Sequence, residues 1–229
     1  MIKPTLWYTL YKIKEFEVYQ QTARLSTVRL AKLLGTSQQT ASRHLSELEK
    51  GGFIKKQASF KGVEVRMTKK GFAELRRVYI GLRNILSGIP TKIILEGTLF
   101  SGFGEGSYYL SHEGYHQQFT QKLGFTPYPG TLNVKLSPNE LRKKQDLEMY
   151  PSIIIEGFKE DQRSFGKVKC FPVLINNTVK GAVIIINRTH YDESVLEVIA
   201  PVYLRDRFNL KEGSKVTIEV PIKTDRNFQ

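Results

Sequence analysis

Cysteine is nearly absent. Cys170 stands alone in 229 residues, so no disulfide can form within the chain, and a reducing, cytoplasmic setting is the expectation. No apolar run approaches the roughly 20 residues that a bilayer span requires. The opening stretch, "MIKPTLWYTLYKIKEFEVYQ", carries charges throughout and has no apolar h-region, so neither a membrane partner nor a signal peptide is expected. The sequons at Asn176 and Asn187 are then chance matches. The Walker pattern G-x-x-x-x-G-K-[ST] is missing as well. "HEGYH" sets His112 and His116 at a metal-ligand spacing, but no third ligand lies nearby, so zinc is not expected.

Acidic residues are the scarce charge, with 22 Asp and Glu against 35 Lys and Arg and a net charge of +13. The excess is unevenly placed. Residues 1–90 hold 17 basic and 6 acidic side chains, a balance of +11, whereas residues 91–229 hold 18 and 16, a balance of +2. A basic front and a near-neutral rear imply two units with different partners, the front one suited to phosphates.

The texture of the chain divides in the same place. Residues 1–88 read mostly as helix. "STVRLAKLLG" has Ser26 as an N-cap and Gly35 as a stop, and "SQQTASRHLSELEKGG" spaces Ala41, Leu45 and Leu48 as a buried stripe. "FIKKQASFKGVEVRMT" suits a two-stranded ribbon turning at Lys61-Gly62, and a further helix runs through "KKGFAELRRVYIGLRNIL". "SGIPT" breaks that helix with Gly88 and Pro90, which sets the domains at 1–89 and 90–229. Beyond it lie short β-rich runs: "KIILEGTLFSG", "GTLNVKL", "SIIIEGF", "KVKCFPVLI", "GAVIIINRT" and "KVTIEVPI". They imply a β-barrel or sandwich, with helices interleaved at "EGYHQQFTQKLG" and "PNELRKKQD".

In the front half, helix, tight turn, polar-headed helix and basic ribbon resemble the winged helix-turn-helix of small prokaryotic repressors, on the stretch "LAKLLGTSQQTASRHLSELEKGGFIKK". The resemblance implies binding to double-stranded DNA. The second helix would enter the major groove, with Gln38, Gln39, Thr40, Ser42 and Arg43 as base-reading candidates, since Gln pairs with adenine and Arg with guanine in bidentate fashion. Lys55, Lys56, Lys61 and Arg66 on the ribbon would take phosphates. Such repressors commonly work as homodimers on palindromes.

The rear half contains "SGFGEGSYYLS", with glycines at every second position. Backbone amides freed of Cβ atoms can crowd an anion, and the same pattern also suits a loose hairpin tip. Of Tyr108 and Tyr109 in this stretch, one is expected in the core. "PYPGTLNV" places Thr131 and Asn133 two apart in an extended segment, so a hydroxyl and a carboxamide face one side, a donor pair suited to Mg²⁺ with phosphates completing its shell.

Together, "GTLFSGFGEGSYYLS", "PYPGTLNV", "NRTHY" and "LEVIAPVYLRDRFNL" resemble the archaeal CTP-dependent riboflavin kinases, from about residue 93 to residue 221. A winged helix fused in front resembles the bifunctional form that also regulates riboflavin genes. The resemblance implies a six-stranded cradle-loop barrel, CTP as donor giving CDP, riboflavin as acceptor giving FMN, and Mg²⁺. It assigns nucleotide binding to Gly102, Phe103, Gly104, Glu105, Gly106 and Ser107 and to Val202, Tyr203, Leu204 and Arg205. It gives the metal to Thr131 and Asn133, and the flavin to Thr189 and Glu197. Glu197 is the candidate catalytic residue, either as base toward the attacking hydroxyl or as a carboxylate that only binds the ribityl chain. Two other functions compete: a flavin- or nucleotide-sensing regulator with an inactive barrel, and a general nucleic-acid binder. The near-neutral rear half weighs against the last.

Overall fold

The computed structural model describes residues 2–21, 23–59, 62–160, 163–186 and 191–222. The chain separates into two compact units, residues 1–88 and 89–229.

The first unit opens with helix α1 (Pro4–Gln20), followed by α2 (Thr27–Leu34) and α3 (Gln38–Lys50). Local chemistry sets the ends of the last two. Ser26 Oγ accepts from the Arg29 amide at 3.1 Å, and Ser37 Oγ accepts from the Thr40 amide at 3.2 Å. Gly35 closes α2 at φ 63°, a left-handed conformation that a Cβ would disfavour, and turns the chain directly into α3. Strands β1 (Ile54–Ser59) and β2 (Gly62–Met67) pair antiparallel from Ile54↔Met67 to Ser59↔Gly62. A bridge between Arg24 and Glu64 adds a third, minimal strand. Helix α4 (Lys69–Ser87) completes the unit, capped by Thr68. Leu10, Ile13, Leu30, Leu45, Leu48 and Ile54 form its core. Truncating one such fully buried leucine to alanine costs about 2–5 kcal/mol. This is a winged helix. On α4, Phe72, Leu75, Tyr79 and Leu82 share one side, but Phe72, Tyr79 and Leu82 remain exposed and of the four Leu75 packs against the core.

The second unit is built from β3 (Lys92–Phe100), β4 (Leu132–Leu136), β5 (Ile153–Ile155), β6 (Phe158–Glu160), β7 (Arg163–Phe165), β8 (Val168–Ile175), β9 (Val179–Ile186), β10 (Val195–Ile199) and β11 (Lys215–Pro221). Helices α5 (Glu105–Ser111), α6 (Glu113–Leu123), α7 (Pro138–Leu147) and α8 (Leu204–Arg207) interrupt them. Six strands close in the order β11-β3-β4-β10-β9-β8, with β11 returning to β8 through Ile218↔Ile175. All the pairings are antiparallel. The barrel expected from the resemblance is therefore present, with one exchange among the staves. To the barrel sheet "SIIIEGF" supplies only the three residues of β5, which share an edge of β8 with β11. The sixth stave is Val195–Ile199, whose central Glu197 breaks the apolar run by which a strand is recognised.

Alternation along the strands divides inside from outside. Leu132, Val134 and Leu136 of β4 face Leu196 and Val198 of β10 across the buried side, while Asn133 faces Glu197 on the other. That outer side continues over Ile184, Cys170 and Val168, where Leu110, Tyr115, Phe119 and Phe165 cover it as a second apolar cluster. Phe158 and Phe165 of the β6–β7 hairpin stack at 4.6 Å, and Tyr115 Oη donates to the Gly166 carbonyl at 2.5 Å.

Candidate active site and DNA-reading surface

A cavity of about 960 Å³ lies on this outer side of the barrel wall. Its floor is the Asn133–Glu197 pair. Thr131 enters from the segment just before β4, and its hydroxyl donates to Asn133 Oδ1 at 3.2 Å. Asn133 is buried, and Glu197 is half-buried directly opposite it on β10.

The glycine stretch forms one rim, and it is neither a long loop nor a hairpin. Residues 101–104 are irregular, and α5 begins at Glu105. A Cβ on Gly102 would stand 2.1 Å from Asn133 Nδ2 and 2.2 Å from Tyr191 Oη, and one on Gly106 would stand 2.7 Å from Thr131 Oγ1. These two glycines therefore let the main chain settle onto the polar pair, a closeness any side chain would prevent. Not every amide of the stretch is open to a ligand. The Phe103 amide donates to Tyr191 Oη at 2.8 Å, and the Ser107 amide makes a long 3.4 Å bond to the Gly104 carbonyl.

Of the second segment, Tyr203 and Arg205 line the cavity. Tyr203 stacks on Tyr128 with centroids 5.0 Å apart and planes 28° apart. Arg205 Nη2 donates to Ser101 Oγ at 3.1 Å and lies 3.8 Å from Glu212, tying α8 to the glycine rim. Val202 is exposed and Leu204 is buried, and neither side chain is among the cavity lining. Thr189 lies outside the described residues. Tyr108 and Tyr109 both line the cavity at 51% and 41% exposure, so the expectation that one is a core residue fails. α5 is a short helix laid over the cavity, and its consecutive tyrosines both reach the edge.

The opposite wall is apolar, built by Tyr115, Phe119, Phe165, Ile184 and Ile186, with Arg163 donating to Tyr108 Oη at 3.3 Å across the rim. The sequence reading missed Tyr128, Arg163 and Tyr191; Tyr128 and Tyr191 stand in quoted motifs, "PYPGTLNV" and "NRTHY", where neither was singled out. It also missed Lys144. This amine is buried on α7 and donates to the carbonyls of Glu193 and Val195 at 2.8 and 2.9 Å, fixing the entry to β10. Burial holds its pKa below the usual lysine range. His112 caps α6, accepting from the Gly114 amide at 3.3 Å through Nδ1, while Nε2 pairs with Glu160. Among the described residues no three His, Cys, Asp or Glu gather as a metal site. No helix among them is long and apolar enough to cross a membrane.

In the winged helix, Gln38, Gln39, Ser42 and Arg43 are exposed along the first turns of α3, and Thr40 is half-buried. Gln38 donates to Thr27 Oγ1 at 3.0 Å, and Arg43 lies 3.9 Å from Glu47. His44 instead turns inward, with Nδ1 2.9 Å from the buried Thr9 hydroxyl, and burial lowers its pKa. On the ribbon Lys55 is paired with Arg66, so both project from one face, although Arg66 also meets Glu64 at 2.6 Å. Lys56 belongs to the other face, with buried Val65, and bridges to Glu49 of α3 at 2.8 Å. That contact holds the Glu49 carboxyl below its ordinary pKa. Lys61 lies outside the described residues.

A basic winged helix followed by a closed barrel with a ligand-sized cavity defines a two-unit protein: a DNA-binding module and a barrel domain built to take small molecules. Comparison with known proteins carries this further. Residues 17–55 match the family described as winged helix-turn-helix DNA-binding. Residues 99–220 match a family described as domain of unknown function DUF120, whose short name is that of a CTP-dependent riboflavin kinase. The riboflavin kinase of Archaeoglobus fulgidus is 44% identical over 201 residues, covering 88% of this chain and 85% of the relative. Those of Methanosarcina mazei and Cenarchaeum symbiosum are 38% and 42% identical, covering 92% and 84% of this chain and 93% and 100% of theirs. The chain belongs to the riboflavin kinase family.

Proposed function

We propose that this protein transfers the γ-phosphoryl group of CTP to the 5′-hydroxyl of riboflavin, giving FMN and CDP, and that its winged helix binds the DNA of riboflavin genes. The observation that carries the catalytic half is the conjunction of Thr131, Asn133 and Glu197 under a rim pressed onto them by Gly102 and Gly106. Phosphoryl transfer asks little covalent chemistry of a protein and much alignment and charge stabilisation.

The residues fit Mg²⁺. Ligands about 2.1 Å from an octahedral ion lie about 2.9 Å from one another, and the two neutral oxygens of Thr131 and Asn133 are already 3.2 Å apart. When bound there, the ion would neutralise charge on the phosphates. The chain's own part is to place the substrates. The glycine rim, Tyr203 and Arg205 hold the nucleotide at the polar end, and the aromatic and aliphatic wall takes the flat flavin ring at the other. Glu197, between them, accepts the proton of the ribityl 5′-hydroxyl as its oxygen bonds to phosphorus and the CDP oxygen departs.

The test is purified protein with riboflavin, Mg²⁺ and, separately, CTP, ATP, GTP or UTP, with FMN measured. FMN with CTP far above the others supports the proposal; FMN from ATP alone, or riboflavin bound and never phosphorylated, ends it. Glu197→Gln should lower kcat about 100-fold or more; turnover near the wild-type rate would remove Glu197 as a base. For the front unit, retardation of a riboflavin-gene promoter over unrelated DNA in moderate salt is the matching measurement.

A further inference from the structure

We infer that Tyr191 is a positioning residue that clamps the glycine rim onto the phosphate end of the cavity, so that nucleotide affinity depends on a side chain that does not belong to the rim. The inference rests on the proposed nucleotide site at that rim. Three contacts converge on one ring. Tyr191 Oη accepts from the Phe103 amide at 2.8 Å. The Phe103 ring lies flat on the Tyr191 ring, with centroids 5.4 Å apart and planes 11° apart. Phe100, at the end of β3 where the rim begins, meets Tyr191 edge-on at 5.7 Å. The rim is thus held at its start, at its main chain and at its side chain.

The closeness of Gly102 to both Tyr191 Oη and Asn133 Nδ2 shows where the clamp presses, because the same glycine touches the hydroxyl that pulls the rim and the carboxamide beneath it. Phe103 is 74% exposed, so its ring earns little from burial, and its stack on Tyr191 is what gives it a fixed place. Tyr191 is itself anchored by its successor. Asp192 accepts from Lys135 at 2.9 Å and from the Ser194 amide at 2.8 Å. Lys135 lies two residues beyond Asn133 on β4, so the clamp and the floor it closes upon are fixed to one strand.

The experiment uses the full chain and the variants Tyr191→Phe, Phe103→Ala, Tyr191→Ala and the double variant Tyr191→Ala with Phe103→Ala. Tyr191→Phe removes the acceptor and keeps the stack; Phe103→Ala removes the stack at an exposed position and keeps the amide. Each should raise KM for CTP about three- to tenfold, with KM for riboflavin within about twofold of wild type. The double variant should be no worse than Tyr191→Ala alone, because Phe103 acts through that ring. Equal shifts in both KM values, unchanged KM for CTP in Tyr191→Phe and Phe103→Ala, or losses that simply add would overturn the clamp. Calorimetric binding of CDP with Mg²⁺ runs in parallel on the same proteins. If the wild type makes no FMN, the kinase reading fails, while the CDP affinities still decide the clamp by the same pattern.

Discussion

The two units of this molecule present their candidate phosphate-binding groups in opposite ways. In the winged helix the phosphate candidates on the ribbon are long and charged, and two already rest in ion pairs, Arg66–Glu64 and Lys56–Glu49. Each contributes little alone, and together they make a field. In the barrel the candidate groups are a hydroxyl, a carboxamide, one half-buried carboxylate and bare main chain, packed to a tolerance that a single methyl exceeds. On the proposed function, one surface would recognise by summed charge and tolerate error in position, and the other would recognise by fit and would not.

The sharpest way to break that contrast is a one-methyl change. Gly102→Ala places a methyl inside contact distance of Asn133 and Tyr191. FMN formation should fall by about 100-fold or more, the scale on which a displacement of about 1 Å acts in catalysis. Affinity for DNA, measured by titration of a labelled duplex, should stay as in the wild type. A comparable loss in both assays would mean that the two units do not recognise independently.

Salt should act in reverse. For roughly three phosphate contacts, raising salt from about 50 to about 200 mM weakens DNA binding roughly 40-fold. The kcat for FMN at saturating substrates should shift by less than about twofold, since ions screen a lined cavity poorly. Parallel titrations on one preparation check this, and a flat salt curve for DNA would remove the electrostatic reading of the front half.

A finer test lies within the ribbon. Lys55→Ala should reduce the slope of log affinity against log salt by about 0.9. Lys56→Ala should leave the slope where it is, because this lysine is already spent on Glu49.

That last pair shows what a sequence can and cannot disclose. Lys55 and Lys56 are adjacent and identical in type, and only the register Lys56↔Val65 reveals that the second is turned inward. The winged helix was otherwise legible, because its ends are written in local chemistry: Ser26, Gly35 and Ser37 sit where caps and a turn must be. The barrel was legible as β-rich runs, but Val195–Ile199 was passed over, since Glu197 interrupts its apolar pattern for the sake of the site. α5 was hidden by the glycines that allow its close approach, as these are poor helix formers. Tyr191 could not be found by spacing, because it meets Phe103 across 88 residues of chain.

The smallest expected effect concerns Cys170. Burial on the barrel wall pushes its thiol up to about 12 from an ordinary value of 9.0. A raised pKa favours the folded state below the unfolded value and ceases to do so as pH climbs toward the folded one, so the barrel should lose stability between about pH 9 and 12. Other groups titrate there too, so the measurement is the difference in Tm between wild type and Cys170→Ala across that range. The gap between them should narrow as pH rises; a constant gap would mean the thiol does not ionise on unfolding.

The last strand to enter the barrel, β11, has a consequence for biosynthesis. β3 finds its partner in β11, and the ion pair between these two strands, Lys92 with Glu219, joins residues 127 apart. Such distant pairing is slow to form, and on the ribosome it must wait until the far strand has left the exit tunnel. The winged helix, whose core draws only on residues before α4's end, is complete long before then. A nascent chain therefore carries a finished reader of DNA while its kinase half is still an open sheet.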